Sequence, residues 1–159
     1  AWASVPTAEW VSLASVYDAP QGHPAFMERM SEVLRQQFGW PVQASNLLVT
    51  SGSQASFFAL FNLFGGADAK GHLRQILLPQ APEYIGYAQS GIAPAMLTSF
   101  PGLIEHVADH RFKYRPDFDR IAVTERHAAV CVSRPCNPTG NVITDEELAR
   151  LRHLAQDFL

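Results

Sequence analysis

The run Ser133-Arg134-Pro135-Cys136-Asn137-Pro138-Thr139-Gly140-Asn141 constrains the fold more than any other stretch of the chain. The apolar run Ala128 to Val132 leads into it and reads as a buried strand. A helix start follows it: Thr144 and Glu147 have the spacing of a capping box, in which each side chain satisfies the other's free backbone N–H. Strand, loop, helix in this order predicts an α/β fold with a mostly parallel sheet and helices on both faces. Such sheets bind ligands beyond the carboxyl ends of their strands, which is where this loop lies. It sets Asn137 between prolines, and Gly140 lets it turn sharply, so it is a device for holding one side-chain amide toward a ligand.

Two further loops are read the same way. Asn46 to Thr50 reads as a short buried strand running into Ser51-Gly52-Ser53-Gln54, followed by a helix from Ala55 to Phe64. That helix is apolar nearly all round, so burial on several sides is expected. Strand, Ser-Gly-Ser, helix amino terminus suits an anion: free N–H groups and the positive dipole end point at it, and Gly52 allows close approach. Plain N-capping by a serine accounts for the same residues. There is no P-loop lysine and no GxGxxG. Next, Arg74 to Pro79 reads as a strand leading to Pro82-Glu83-Tyr84-Ile85-Gly86-Tyr87. Tyr84 is placed to stack on a flat ligand; a short helix packing Tyr84 and Tyr87 into the core is the alternative.

The rest of the chain is connective. Pro6-Thr7 starts a short helix with Trp10, Val11 and Leu13 roughly on one face, and Trp2 and Trp10 are expected to pack. Tyr17 opens a loop that ends at His23-Pro24. A helix with Phe26, Met30, Val33, Leu34 and Phe38 on its apolar face follows and stops at Gly39. Ala95 to Phe100 reads as a strand, Arg111 to Arg115 as a half-exposed one, and Pro116-Asp117 as the start of a small helix. Leu148, Leu151, Ala155 and Phe158 form the buried stripe of the last helix. His106 and His110 have an i, i+4 spacing, but no HExxH pattern or third ligand accompanies them, and no metal site is expected.

Composition narrows the function class. A formal net charge of -3 lacks the basic patch that nucleic acid requires. No run approaches the roughly 18 apolar residues of a membrane helix. No cationic start with an apolar core and cleavage site is legible. Two cysteines, Cys131 and Cys136, make no disulfide framework and read as reduced thiols of a cytoplasmic protein. The chain opens at Ala1 without methionine and stops at Leu159 inside a helical pattern, so it is expected to be part of a longer protein. An anion cradle, an aromatic plate and a fixed amide brought to one sheet edge suit a flat, phosphorylated, hydrogen-bonding ligand, and pyridoxal phosphate fits all three.

At this point the chain resembles the fold-type I pyridoxal-phosphate aminotransferases over roughly residues 17 to 159. The resemblance rests on YDAPQGHP, NLLVTSGSQASFFALFNLFGG, LPQAPEYIGYA and VSRPCNPTGNVITDEEL. PEYIGYA and NPTGNVITDEEL together favour the subgroup acting between valine and pyruvate. The resemblance implies a three-layer large domain, incomplete in this chain, with residues 17–159 as its amino-proximal part and residues 1–16 as a separate segment. It implies that Asn137 donates to the phenolate oxygen of pyridoxal phosphate and that Tyr84 stacks on its pyridine ring. Gly52, Ser53 and Gln54 would cradle its phosphate. Tyr17 would reach the phosphate of a neighbouring subunit, which implies a homodimer with shared sites. The bonds Ala81–Pro82 and Asn137–Pro138 match positions that are often cis in the family.

The resemblance also implies parts that this chain does not supply. The family's reaction needs a lysine that binds the cofactor covalently and moves a proton. Lys70 and Lys113 both lack the family's small-residue, serine-rich context, so the lysine is expected beyond Leu159, with the pyridine-nitrogen aspartate and the substrate-clamping arginine. The expected function is transfer of an amino group between valine or alanine and 2-oxo acids (pyruvate, 3-methyl-2-oxobutanoate), with these residues inert alone. Alternatives are a C–S lyase on the same fold, a non-catalytic effector domain, and a phosphate- or nucleotide-binding module.

Overall fold

The computed structural model describes residues 4–156. The chain forms two compact units, residues 1–51 and 52–159.

The first unit holds α1 (Thr7–Ser15) and α2 (Pro24–Phe38). α1 buries none of its residues, and Trp10, Val11 and Leu13 are all exposed. Trp2 lies outside the described residues. α2 begins with Pro24 at its first turn and ends at Gly39, whose left-handed φ of 66° closes the helix with an N–H bond back to the Arg35 carbonyl. The expected apolar face of α2 stays open within this unit: Phe26, Met30, Val33 and Phe38 are exposed and Ser31 is the buried residue. Arg35 explains the choice of side. Its guanidinium donates to Ser31 Oγ and to the Val42 carbonyl, drawing the segment after the helix onto the Ser31 side. The strand expected at Asn46–Thr50 is absent among the described residues. Ala44–Asn46 is a short 3₁₀ helix closed by reciprocal bonds between Gln43 and Asn46. These local bonds turn the chain where a ladder would begin. Leu47 then turns extended, and Val49 N–H donates to the Gln21 carbonyl.

The second unit is a three-layer sandwich. Its first helix, α3 (Ser53–Phe64), precedes β1 (Gly66–Ala67) and β2 (Leu73–Ala81). β3 (Leu97–Pro101), β4 (Leu103–Ala108), β5 (Arg111–Arg115), β6 (His127–Val130) and α4 (Asp145–Gln156) follow. β2 pairs in parallel with both β3 and β6, while β1 pairs with it antiparallel. β2 is central, so Gln75 to Gln80 are buried without a break, as a strand covered on both faces requires. Its alternation divides the core. Ile76 and Leu78 join Phe61, Tyr87 and Met96 on the α3 side. Leu77 joins Ile121, Ile143 and Leu151 on the α4 side. α3 and α4 are thus the outer layers on opposite faces of the sheet.

Several expectations change here. α3 buries Phe61 alone; Phe58, Leu60, Leu63 and Phe64 are exposed, because a helix lying on one sheet face covers one stripe only. β4 and β5 form an antiparallel hairpin, so His106 sits on a strand and His110 in the turn, not on one helix face. The helix expected at Pro116-Asp117 is a single turn, in which the Asp117 carbonyl accepts from Arg120 and Ile121 N–H. In the last helix Leu151 is buried while Leu148 is 37% exposed; Phe158 lies outside the described residues. No helix among the described residues is long and apolar enough to cross a membrane.

Candidate functional site

Three loops of the second unit carry the residues singled out in the sequence. Gly52 is the N-cap of α3 at φ 90°, a conformation that favours glycine. The N-cap position is held by this glycine, which has no side chain to cap with, so neither Ser51 nor Ser53 is the N-cap residue. A Cβ built on Gly52 would have no heavy atom within 4 Å. Gly52, Ser53 and Gln54 are all exposed at this helix start. The positive dipole end of the helix thus lies at an exposed start with room over Gly52, which suits an anion.

Tyr84 follows the carboxyl end of β2 and is half-buried. Its ring packs edge-on against Tyr87, with centroids 5.2 Å apart and planes at 88°. The ring also lies over Gly86, where a Cβ would come within 2.5 Å of it, so a side chain at 86 would displace Tyr84. The two tyrosines divide the readings made from sequence. Tyr87 is a core residue at 3% exposure, in a short 3₁₀ helix from Ile85 to Gln89, while Tyr84 keeps part of its ring accessible.

Asn137 follows β6, exposed, and among the described residues its side-chain amide has no hydrogen-bond partner. The peptide bonds Ala81–Pro82 and Asn137–Pro138 are cis, as the resemblance implied, and so is Arg134–Pro135. Cys136 beside Asn137 is 4% exposed, and its thiol has a long contact to the Pro82 carbonyl, 3.8 Å. Burial pushes the Cys136 and Cys131 thiols up, which keeps both protonated and poorly nucleophilic. The cysteines are free.

The structure joins these loops through residues that sequence reasoning passed over. Glu83 accepts from Tyr84 N–H at 2.9 Å with one carboxylate oxygen and from Ser133 N–H at 3.2 Å with the other. The Tyr87 hydroxyl bonds Ser133 Oγ at 2.8 Å. Burial drives the Tyr87 hydroxyl well above the usual phenol range, so it stays protonated. Phe57, one turn into α3, packs edge-on against Tyr87 with centroids 4.8 Å apart. The α3 start, the Tyr84 loop and the Asn137 loop are therefore tied to one another around Tyr87. Tyr87 was legible as an aromatic beside Tyr84. Nothing in the local sequence distinguishes Glu83 or Ser133 from solvated loop residues.

The remaining expected sites belong to other segments of the chain. Tyr17 belongs to the first unit and is fully exposed, at 101%. Lys70 sits in the turn between β1 and β2, and Lys113 on β5. Among the described residues no group of three or more His, Cys, Asp and Glu could hold a metal ion. A groove of about 540 Å³ runs between β6 and α4, lined mainly by Val130, Val132, Leu148 and Leu151; Gly52, Ser53, Gln54, Tyr84 and Asn137 do not line it.

Comparison with known proteins follows the same contour. Residues 12–158 match the family model for aminotransferase class I and II. The chain is 46% identical over 139 residues to the valine–pyruvate aminotransferase of Escherichia coli K12, covering 87% of this chain and 33% of that protein. The crystal structure of valine–pyruvate aminotransferase AvtA from Salmonella typhimurium LT2 matches with a TM-score of 0.78 and 42% identity, over 95% of this chain and 37% of that one. A protein of Psychrobacter arcticum 273-4, assigned as an amino-acid aminotransferase, matches with a TM-score of 0.87 and 38% identity, over 96% and 37%. The chain thus spans about a third of the length of these relatives.

Proposed function

The chain belongs to the class I and II aminotransferases, and we propose that the protein it is part of transfers an amino group between valine or alanine and a 2-oxo acid such as pyruvate or 3-methyl-2-oxobutanoate. The observation that supports this reading is the bonded pair of loops beyond β2 and β6, which carry a half-buried tyrosine and an exposed asparagine, and which Phe57 of α3 joins through Tyr87. The choice of substrates follows the relatives that act on valine and pyruvate.

Pyridoxal phosphate fits these residues. Open space over Gly52 leaves room for a phosphate at the α3 start, with Ser53 and Gln54 adding side-chain donors. The exposed side of the Tyr84 ring offers a face to a flat heterocycle. The Asn137 amide is an available donor for a phenolate oxygen. When bound, this cofactor supplies an electron sink for the carbanion formed at the substrate Cα. The chain's own residues then act by placement: the helix dipole holds the anion, Tyr84 fixes the plane, and Asn137 donates to one ring substituent. Tyr17 is proposed to serve the phosphate site of a second subunit in a cytoplasmic homodimer. Residues 17–159 would be the amino-proximal part of the large domain.

The lysine that binds the cofactor covalently and moves the proton is proposed to lie outside these 159 residues, since Lys70 and Lys113 are on neither the Tyr84 nor the Asn137 loop. The test is an amino-exchange assay of the full-length protein with pyridoxal phosphate, valine and pyruvate, following alanine by chromatography. Alanine formation is expected from the full-length protein and none from residues 1–159. Release of ammonia and pyruvate from cysteine conjugates without amino exchange would overturn the reading, and so would turnover by the isolated chain.

A further inference from the structure

Glu83 stands between two residues proposed to touch the cofactor, yet it points at neither ligand-facing group. Each of its oxygens takes a backbone N–H, one from Tyr84 and one from Ser133, which are separated by 49 positions in the chain and lie on loops beyond different strands. Among the described residues no cationic side chain pairs with this carboxylate. A carboxylate that binds two amides gains geometric definition as well as energy, because charge-assisted bonds to N–H groups are shorter and stronger than neutral ones. Its neighbourhood is short of other ways to hold the loops. The Tyr87 hydroxyl to Ser133 Oγ bond is a second tie, and the Cys136 thiol contact to the Pro82 carbonyl is a long one.

We propose that Glu83 is a positioning residue: its carboxylate clips the loop carrying Tyr84 to the loop carrying Asn137 and so sets the spacing between the aromatic plate and the amide. The proposal rests on the pyridoxal-phosphate reading above. Removing the carboxylate frees the Ser133 and Tyr84 N–H groups and lets the two loops move independently. The cofactor is then stacked or hydrogen-bonded, but not both at the same optimum. Glu83→Gln is the sharper variant, because it keeps shape and one acceptor but turns an amide NH₂ toward one of the two backbone N–H donors. A residue that merely stabilised the fold would lower the melting temperature and leave the folded protein's cofactor affinity and spectrum unchanged.

The experiment compares full-length wild type, Glu83→Gln and Glu83→Ala. Hydrogen exchange at the Ser133 and Tyr84 amides is read without cofactor, and pyridoxal-phosphate affinity and absorption maximum are read by titration. Faster exchange at both amides in Glu83→Ala and at one or more of them in Glu83→Gln, a roughly ten-fold or larger loss of affinity and a displaced absorption band are expected. Unchanged exchange in Glu83→Gln would overturn the clip. Faster exchange with unchanged affinity and spectrum would show a structural tie only and overturn the positioning role. Should wild type bind no pyridoxal phosphate, the cofactor reading falls and the positioning role with it, while the exchange data still report whether the loops are clipped.

Discussion

Replacing Glu147 by glutamine should destabilise the second unit at neutral pH and lose that effect in acid. Glu147 is 8% exposed and holds three connections at the start of α4. Its Oε2 accepts from Thr144 N–H at 2.7 Å, its Oε1 accepts from Arg115 Nη1 at 3.1 Å, and its own N–H donates to Thr144 Oγ1 at 3.2 Å. Glutamine keeps one oxygen for the Thr144 amide but turns its NH₂ toward a guanidinium, donor against donor. A hydrogen bond to a charged group contributes about 1.5–3 kcal/mol. Arg115 is shared with Glu105 and about a third exposed, which places the expected loss at the low end, about 1–2 kcal/mol. For a chain of this size each kcal/mol lowers the melting temperature by about 2–4 °C. The sign with pH follows from opposing effects on Glu147. Burial raises its pKa, but the Thr144 amide and Arg115 outweigh burial and leave it below the usual carboxylate range. A depressed carboxylate stabilises the fold above its unfolded value of about 4.3, and that contribution is lost as pH falls through the lower folded value. Thermal unfolding of wild type and Glu147→Gln from pH 7 to pH 3 should show a gap that narrows below about pH 4. A gap as wide at pH 3 as at pH 7 would refute the assignment of a charged, bonded Glu147.

Three further outcomes are expected. Gly52→Ala should cost about 1–2 kcal/mol from its positive φ, while the Cβ itself meets no atom; pyridoxal-phosphate titration should show weakened binding, and unchanged affinity would remove Gly52 from the cradle. A double-mutant cycle of Tyr87→Phe and Ser133→Ala in urea should give a coupling of about 1 kcal/mol from their 2.8 Å bond, and zero coupling would dissolve the tie between the loops. His127 is buried with Nδ1 accepting from Thr124 N–H and Nε2 bonded to Thr98 Oγ1, and burial lowers its pKa. Stability should therefore fall as pH drops from the unfolded value of about 6.5 toward the lower folded value, and His127→Gln should flatten that slope in unfolding titrations.

Signals carried by neighbouring residues were legible without coordinates. The Thr144–Glu147 capping box, the Gly39 stop, the Pro24 start and the strand before each of the Tyr84 and Asn137 loops depend on bonds or torsions within a few residues. The same holds for the α/β character, since runs such as Arg74 to Pro79 and Ala128 to Val132 read as strands wherever they pack. Asn137, Tyr84 and Gly52 were identified because residue types such as proline and glycine betray unusual local backbone.

What tertiary structure decided were contacts between residues far apart in the chain. Sequence periodicity marked α3 as apolar all round, but only packing chose the Phe57 and Phe61 stripe that faces β2. Asn46 to Thr50 has strand composition, yet pairing needs a partner at the right height, and the Gln43–Asn46 bonds turn the chain first. His106 and His110 share a face only on a helix, and a hairpin separates them. Glu83 is the plainest case. Its neighbours Pro82 and Tyr84 say that a loop is present, but the Ser133 amide that completes its pair of bonds lies 50 positions away. A side chain's local environment is written in its own segment. Its partners across the fold are set only when parallel strands bring their carboxyl ends to one edge.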